Sequence, residues 1–107
     1  MFRHVVMFKW SEGTTDEQKQ ALRDGLSNLP EKITEIRTYR FGDDAGLTPD
    51  TFDFVIVADF EDRSGFETYR DHPDHQAVVV ELVRPITAVR AAVQHDWSSA
   101  LPDDLPA

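Results

Sequence analysis

The segment Phe52–Phe60 constrains this chain more than any other, because alternate residues are apolar on both of its sides. Phe52, Phe54, Ile56, Ala58 and Phe60 fall on one face, and Val55 and Val57 fall on the other. A strand of that kind must be covered on both faces. Phe2–Trp10 makes a weaker version of the same demand. Phe2, His4, Val6, Phe8 and Trp10 line one side, apolar except for His4, while Arg3, Val5, Met7 and Lys9 line a side apolar only in its middle. The two segments belong at the centre of one sheet.

The intervening stretches supply the rest of that sheet and one covering layer. Thr15 is set as a helix N-cap, with Asp16 and Glu17 in the first turn and Gln18 at capping-box distance. Ala21, Leu22, Leu26 and Leu29 form the buried stripe of this helix, Gly25 marks close packing on the sheet, and Pro30 marks the end. Ile36–Phe41 alternates imperfectly and carries Arg37 and Arg40, as an edge strand does. A polar loop from Gly42 runs through Pro49. A helical stretch from Arg63 to Arg84 breaks at His72-Pro73, which places His72 at the cap of a second helix with the stripe His75, Val78, Val79, Leu82 and Ile86. Ala88–Trp97 alternates again, with Val89, Ala91, Val93, His95 and Trp97 on one side.

Strand, helix, strand, strand, broken helix, strand is the split βαβ order. It predicts an α+β, ferredoxin-like domain over 1–97, a four-stranded antiparallel sheet with helices on one face, followed by a Pro/Asp-rich tail at 98–107. Helices on one face leave Val5, Met7, Val55 and Val57 uncovered. An apolar patch of that size is seldom left open on a monomer, so the expected assembly is a homodimer with two sheets face to face.

Composition narrows the chemistry. The absence of cysteine excludes disulfides, thiolate zinc sites and cysteine nucleophiles. Together with the lack of a secretory leader, it suits a reducing cytoplasm. A net charge of −9 argues against nucleic acid and anionic membrane surfaces as partners. No phosphate loop, nucleophile elbow or dinucleotide fingerprint occurs, so no cofactor is expected. His72 and His75 with Asp74 lack a second ligand cluster, and no metal site is expected there.

Three polar groups interrupt apolar stripes: His4 on the first strand, Tyr69 one turn beyond Phe66, and His75 at the start of the last helix. If His4 faces the helices, all three converge on a pocket between sheet and helices. A neutral His75 near a helix N-terminus would serve as base, Tyr69 would bond an oxyanion, and His4 would orient or relay protons. Such residues also occur simply as hydrogen-bonded members of a core.

The runs Arg3-His4-Val5-Val6-Met7-Phe8-Lys9-Trp10, Phe52–Glu61, Tyr69-Arg70-Asp71-His72-Pro73-Asp74-His75 and Leu82-Val83-Arg84-Pro85 resemble, in order and spacing, the stress-responsive A/B barrel (Dabb) domain. The resemblance covers about 2–97 and implies a dimeric α+β barrel. Most members of that family have no assigned reaction. A plant member, olivetolic acid cyclase, closes a linear polyketide by a cofactor-free aldol condensation, and its working residues match His4, Tyr69 and His75 by motif. Two readings follow. One is a homodimer with a small-molecule pocket and an open activity. The other is a cyclase-like lyase acting on a small apolar carbonyl compound, with His75 as general base.

Overall fold

Two strands that need cover on both sides are placed side by side in the middle of the sheet. The structure, a computed structural model, describes residues 1–98. Strands β1 (Phe2–Trp10), β2 (Ile36–Asp43), β3 (Phe54–Phe60) and β4 (Thr87–Asp96) lie in the order β2-β3-β1-β4, all antiparallel. This is the ferredoxin-like α+β fold. Apart from Ser98, the expected tail at 98–107 lies outside the described residues.

The covering layer begins with α1 (Asp16–Ser27). Its capping box is complete: the Gln18 amide donates to Thr15 Oγ1 at 3.1 Å and the Thr15 amide donates to Gln18 Oε1 at 2.9 Å. Leu22 and Leu26 are buried, whereas Ala21 is exposed. Pro30 does not end the helical path. It sits in the first turn of a short α2 (Leu29–Lys32), where a missing N–H costs nothing. Gly25 faces not the sheet but the other helical segment: a Cβ there would lie 2.6 Å from Leu82 Cδ1 and 3.6 Å from Val78 Cγ2.

After β3 come α3 (Arg63–Asp71) and α4 (Pro73–Val78), separated at His72. The His72 ring accepts from the Asp74 amide at 3.1 Å, which makes His72 a capping residue. Beyond α4 the chain departs from the expected helix. Val79–Val83 forms a π turn and Arg84–Ile86 a 3-10 turn. The wider π turn inserts a residue into the helical period, so Val83 is buried where Leu82 was expected to be. The buried stripe becomes Val78, Val83 and Ile86.

Strand β3 starts two residues later than its alternation suggests. Asp53 is held instead by the end of β1, its amide donating to the Phe8 carbonyl at 2.8 Å and its carboxylate accepting from the Trp10 amide at 2.8 Å. The inner side of β1 and β3 packs into one core with Leu22, Leu26, Leu29 and Ile33. Each such side chain contributes about 1.5–3 kcal/mol by leaving water.

Among the described residues, the opposite side of the sheet carries no helix. Val5 stands opposite Val57 on β3 and Val93 on β4, and Met7 stands opposite Val55 and Ala91. The apolar side of β4 therefore faces away from the helices, leaving Val89 and Val93 about half exposed at 47% and 53%. At one end of this open side Asp59 is buried, held by the Arg3 fork at 2.7 and 2.9 Å and by the Thr38 hydroxyl at 2.7 Å. These bonds keep its carboxyl below the usual carboxylate range, the Arg3 hydrogen bonds contributing most.

Candidate functional site

With the apolar side of β4 turned outward, its inner side offers Arg90, Ala92 and Gln94 to the helical layer. None of them can fill the space that a large apolar side chain would. A cavity of about 440 Å³ remains between β1, β4, α3 and the α4–π segment. That volume lies within the range of small-molecule sites, and a void of roughly 150 Å³ already holds a benzene ring.

His4, Tyr69 and His75 all line this cavity. Tyr69 and His75 are close neighbours, with ring centroids 4.1 Å apart, and His4 lies 6.4 Å from Tyr69 across the space. Phe66 fills the angle between them, 5.0 Å from His4. The strand places His4 on the same side as Val6 and Phe8, and the break at His72-Pro73 lets the chain turn so that His75 lies against Tyr69.

His4 is 6% exposed, and its Nδ1 accepts a hydrogen bond from the Gln94 amide nitrogen at 3.0 Å. The neutral ring consequently carries its hydrogen on Nε2. Burial, with smaller contributions from Arg90 and His75, pushes its pKa down to about 4. His75 is oriented the other way. Its Nδ1 donates to the Arg70 carbonyl at 3.0 Å, which leaves a lone pair on Nε2. Burial is also the main reason that its pKa lies below the usual histidine value. The helix dipole invoked from the sequence is not needed, since α4 has only six residues.

Tyr69 is held by Tyr39, the two hydroxyls being 2.8 Å apart. Burial pushes the Tyr69 phenol up to about 12 and raises Tyr39 further, so both remain protonated near neutrality. Among the described residues, no three His, Cys, Asp or Glu side chains cluster as a metal site would require.

Three members of this arrangement escaped the reading of the sequence. Tyr39 alternates with Phe41 along β2, a signal obscured by Arg37 and Arg40. Gln94 and Arg90 were hidden because alternation defines two sides of β4 without saying which one faces inward.

The Stress Responsive A/B Barrel Domain family model matches residues 2–99. A dimeric ferredoxin-like protein of unknown function from Thermobifida fusca YX is 40% identical, covers 90% of each chain and superposes with a TM-score of 0.83. An uncharacterized protein of Streptomyces coelicolor is 28% identical over 81 residues, 74% of this chain and 84% of its own. The hydroxynitrile lyase of Passiflora edulis shares the fold with a TM-score of 0.82, at 17% identity over 94% of this chain and 96% of its own. The model match spans nearly all of the described chain, and the chain belongs to the stress-responsive A/B barrel (Dabb) family.

Proposed function

We propose that this protein is a homodimer whose pocket binds a small carbonyl compound and moves a proton on it with His75, without a cofactor. The observation that carries this reading is the opposed hydrogen bonding of the two histidines on one cavity. His75 holds its hydrogen on Nδ1 and offers a basic Nε2, while His4 accepts at Nδ1 and presents an N–H at Nε2. One is set to take a proton and the other to donate a hydrogen bond.

In the reaction this suits, His75 Nε2 removes a proton from the carbon next to a carbonyl. The electron pair moves onto the carbonyl oxygen, which accepts hydrogen bonds from His4 Nε2 and the Tyr69 hydroxyl. When Tyr39 donates to Tyr69, the Tyr69 hydrogen is free for this task. The enolate carbon then attacks a second carbonyl carbon, and the imidazolium returns its proton to the new alkoxide. The reverse sequence cleaves the same bond, as a lyase does. The presence of a hydroxynitrile lyase among the proteins that share the fold supports this reading. The homodimer is supported by the uncovered apolar side and by the dimeric relative from Thermobifida fusca.

Deuterium exchange into benzylacetone, followed by proton NMR, reads the first step without knowledge of the natural substrate. The protein should accelerate exchange next to the carbonyl. His75→Ala should lower the rate by about 100-fold or more while leaving Tm nearly unchanged. An unaccelerated exchange, or a large loss of stability in the variant, would reduce His75 to a core residue and end the catalytic reading.

A further inference from the structure

The distribution of charge around the cavity departs from that of the chain. Acidic residues outnumber basic ones 20 to 11, yet among the described residues no Asp or Glu lines the cavity, whereas Arg70, Arg84 and Arg90 do. Arg70 is already engaged, its guanidinium donating to both oxygens of Asp71 at 2.8 and 3.0 Å. Arg84 and Arg90 form no ion pair among the described residues. They come from different elements, the 3-10 turn and β4, and both remain partly in water at the cavity. The positive charge of Arg90 also acts on the rings of His4 and His75, disfavouring the charged form of each.

We infer that the pocket selects an anionic ligand, an apolar body bearing a carboxylate that Arg90, with Arg84, holds at the cavity. The planar guanidinium fork matches a carboxylate, and the positive charge gathered at the pocket makes it the favourable place for an anion on an otherwise acidic protein. Among the described residues no glycine lines the cavity, which sets it apart from the glycine-rich backbone cradle typical of a phosphate site. This inference rests on the small-molecule pocket proposed above and adds the ligand's charge. It also gives Arg90 a use during proton transfer. A bound carboxylate offsets the arginine charge, which adds to the basicity of His75 when an anionic ligand is present.

The test compares para-butylbenzoate with its neutral isostere para-butylbenzamide by isothermal titration calorimetry, on the full-length protein and on Arg90→Gln. The benzoate should bind at least tenfold more tightly than the amide. Arg90→Gln should erase that preference while leaving amide binding in place, and added salt should weaken the benzoate alone. Equal affinities for the two probes would overturn the anionic-ligand inference but leave the pocket reading intact. Failure of both probes to bind would overturn the two together. An unchanged preference in Arg90→Gln would overturn the role of Arg90. Tighter binding of para-butylphenylphosphonate than of the benzoate would overturn the assignment of the head group as a carboxylate.

Discussion

The inner layer of this protein is filled over β3 and hollow over β4. Above β3, Phe54 and Phe60 are almost fully buried, and Phe60 packs edge-on to Phe66 and tilted against Tyr69. Above β4 lie Arg90, Ala92 and Gln94, and the helices leave a cavity of about 440 Å³. The two strands have similar alternation and opposite orientation. In β3 the large apolar side chains face the helices; in β4 the apolar residues Val89, Ala91 and Val93 face away. Inverting one edge strand thus produces two features at once, a pocket with Arg90 and Gln94 on its β4 wall inside and a wider apolar patch outside.

The strongest way to break this comparison is Phe60→Ala. Phe60 has no exposed surface, and truncation of a buried phenylalanine costs about 3–5 kcal/mol. Chemical denaturation should show a loss of that size, while His75→Ala, at the cavity wall, should cost far less. Similar losses at the two positions would mean that the hollow half is packed as tightly as the filled one.

The outward side is tested next by Val5→Glu. Val5 lies between Val57 and Val93 at the middle of the open patch. A carboxylate there would be buried without a partner in each subunit of a face-to-face dimer, and an unpaired buried charge is worth about 3–5 kcal/mol. Light scattering at micromolar concentration should find a dimer for the parent chain and a monomer for Val5→Glu. A dimeric Val5→Glu variant would place the interface elsewhere.

Acid probes the hollow half through His4. Its pKa is pushed down to about 4 in the folded chain, against an ordinary value near 6.5 when unfolded. Between these values the unfolded chain binds more protons, so the stability that the neutral His4 ring contributes is full above about pH 6.5, falls as pH is lowered toward 4, and has no further part in the profile below that. The His4 contribution to the fall is about 3 kcal/mol. His75, also shifted downward, adds in the same direction. His4→Gln should flatten the profile between pH 6.5 and 4 in urea titrations at successive pH values; a profile as steep as the parent's would show that the ring is not buried in neutral form.

Much of this arrangement was legible in the residues, for identifiable reasons. Period-two alternation in Phe2–Trp10 and Phe52–Phe60 located the central strands, and polar interruptions of apolar stripes located His4, Tyr69 and His75. Alternation is silent about orientation, however, so β4 gave no sign that Gln94 and Arg90 face the pocket. A helical period cannot reveal a π turn either. The residues Val78, Val79, Leu82 and Ile86 satisfy ordinary helical spacing, and only tertiary packing selects Val83 in place of Leu82. Gly25 was recognised as a close approach, but its neighbour proved to be the segment that roofs the cavity.

That close approach yields the smallest expected effect, because two opposing terms nearly cancel. Replacing Gly25 by alanine in the interior of α1 gains about 1 kcal/mol in helix propensity. The new Cβ would lie 2.6 Å from Leu82 Cδ1, so something must move. The atom in the way is the end of a flexible, half-buried side chain, and Leu82 can swing toward solvent at the expense of part of its packing. The net change for Gly25→Ala should therefore lie within about 0.5 kcal/mol of zero. A double-mutant cycle separates the two terms. In a Leu82→Ala background the clash is gone, and Gly25→Ala should then stabilise by nearly the full propensity gain, about 1 kcal/mol. If the gain does not appear there, the obstruction is not the Leu82 methyl, and the spacing between α1 and the cavity roof is set by the backbone instead.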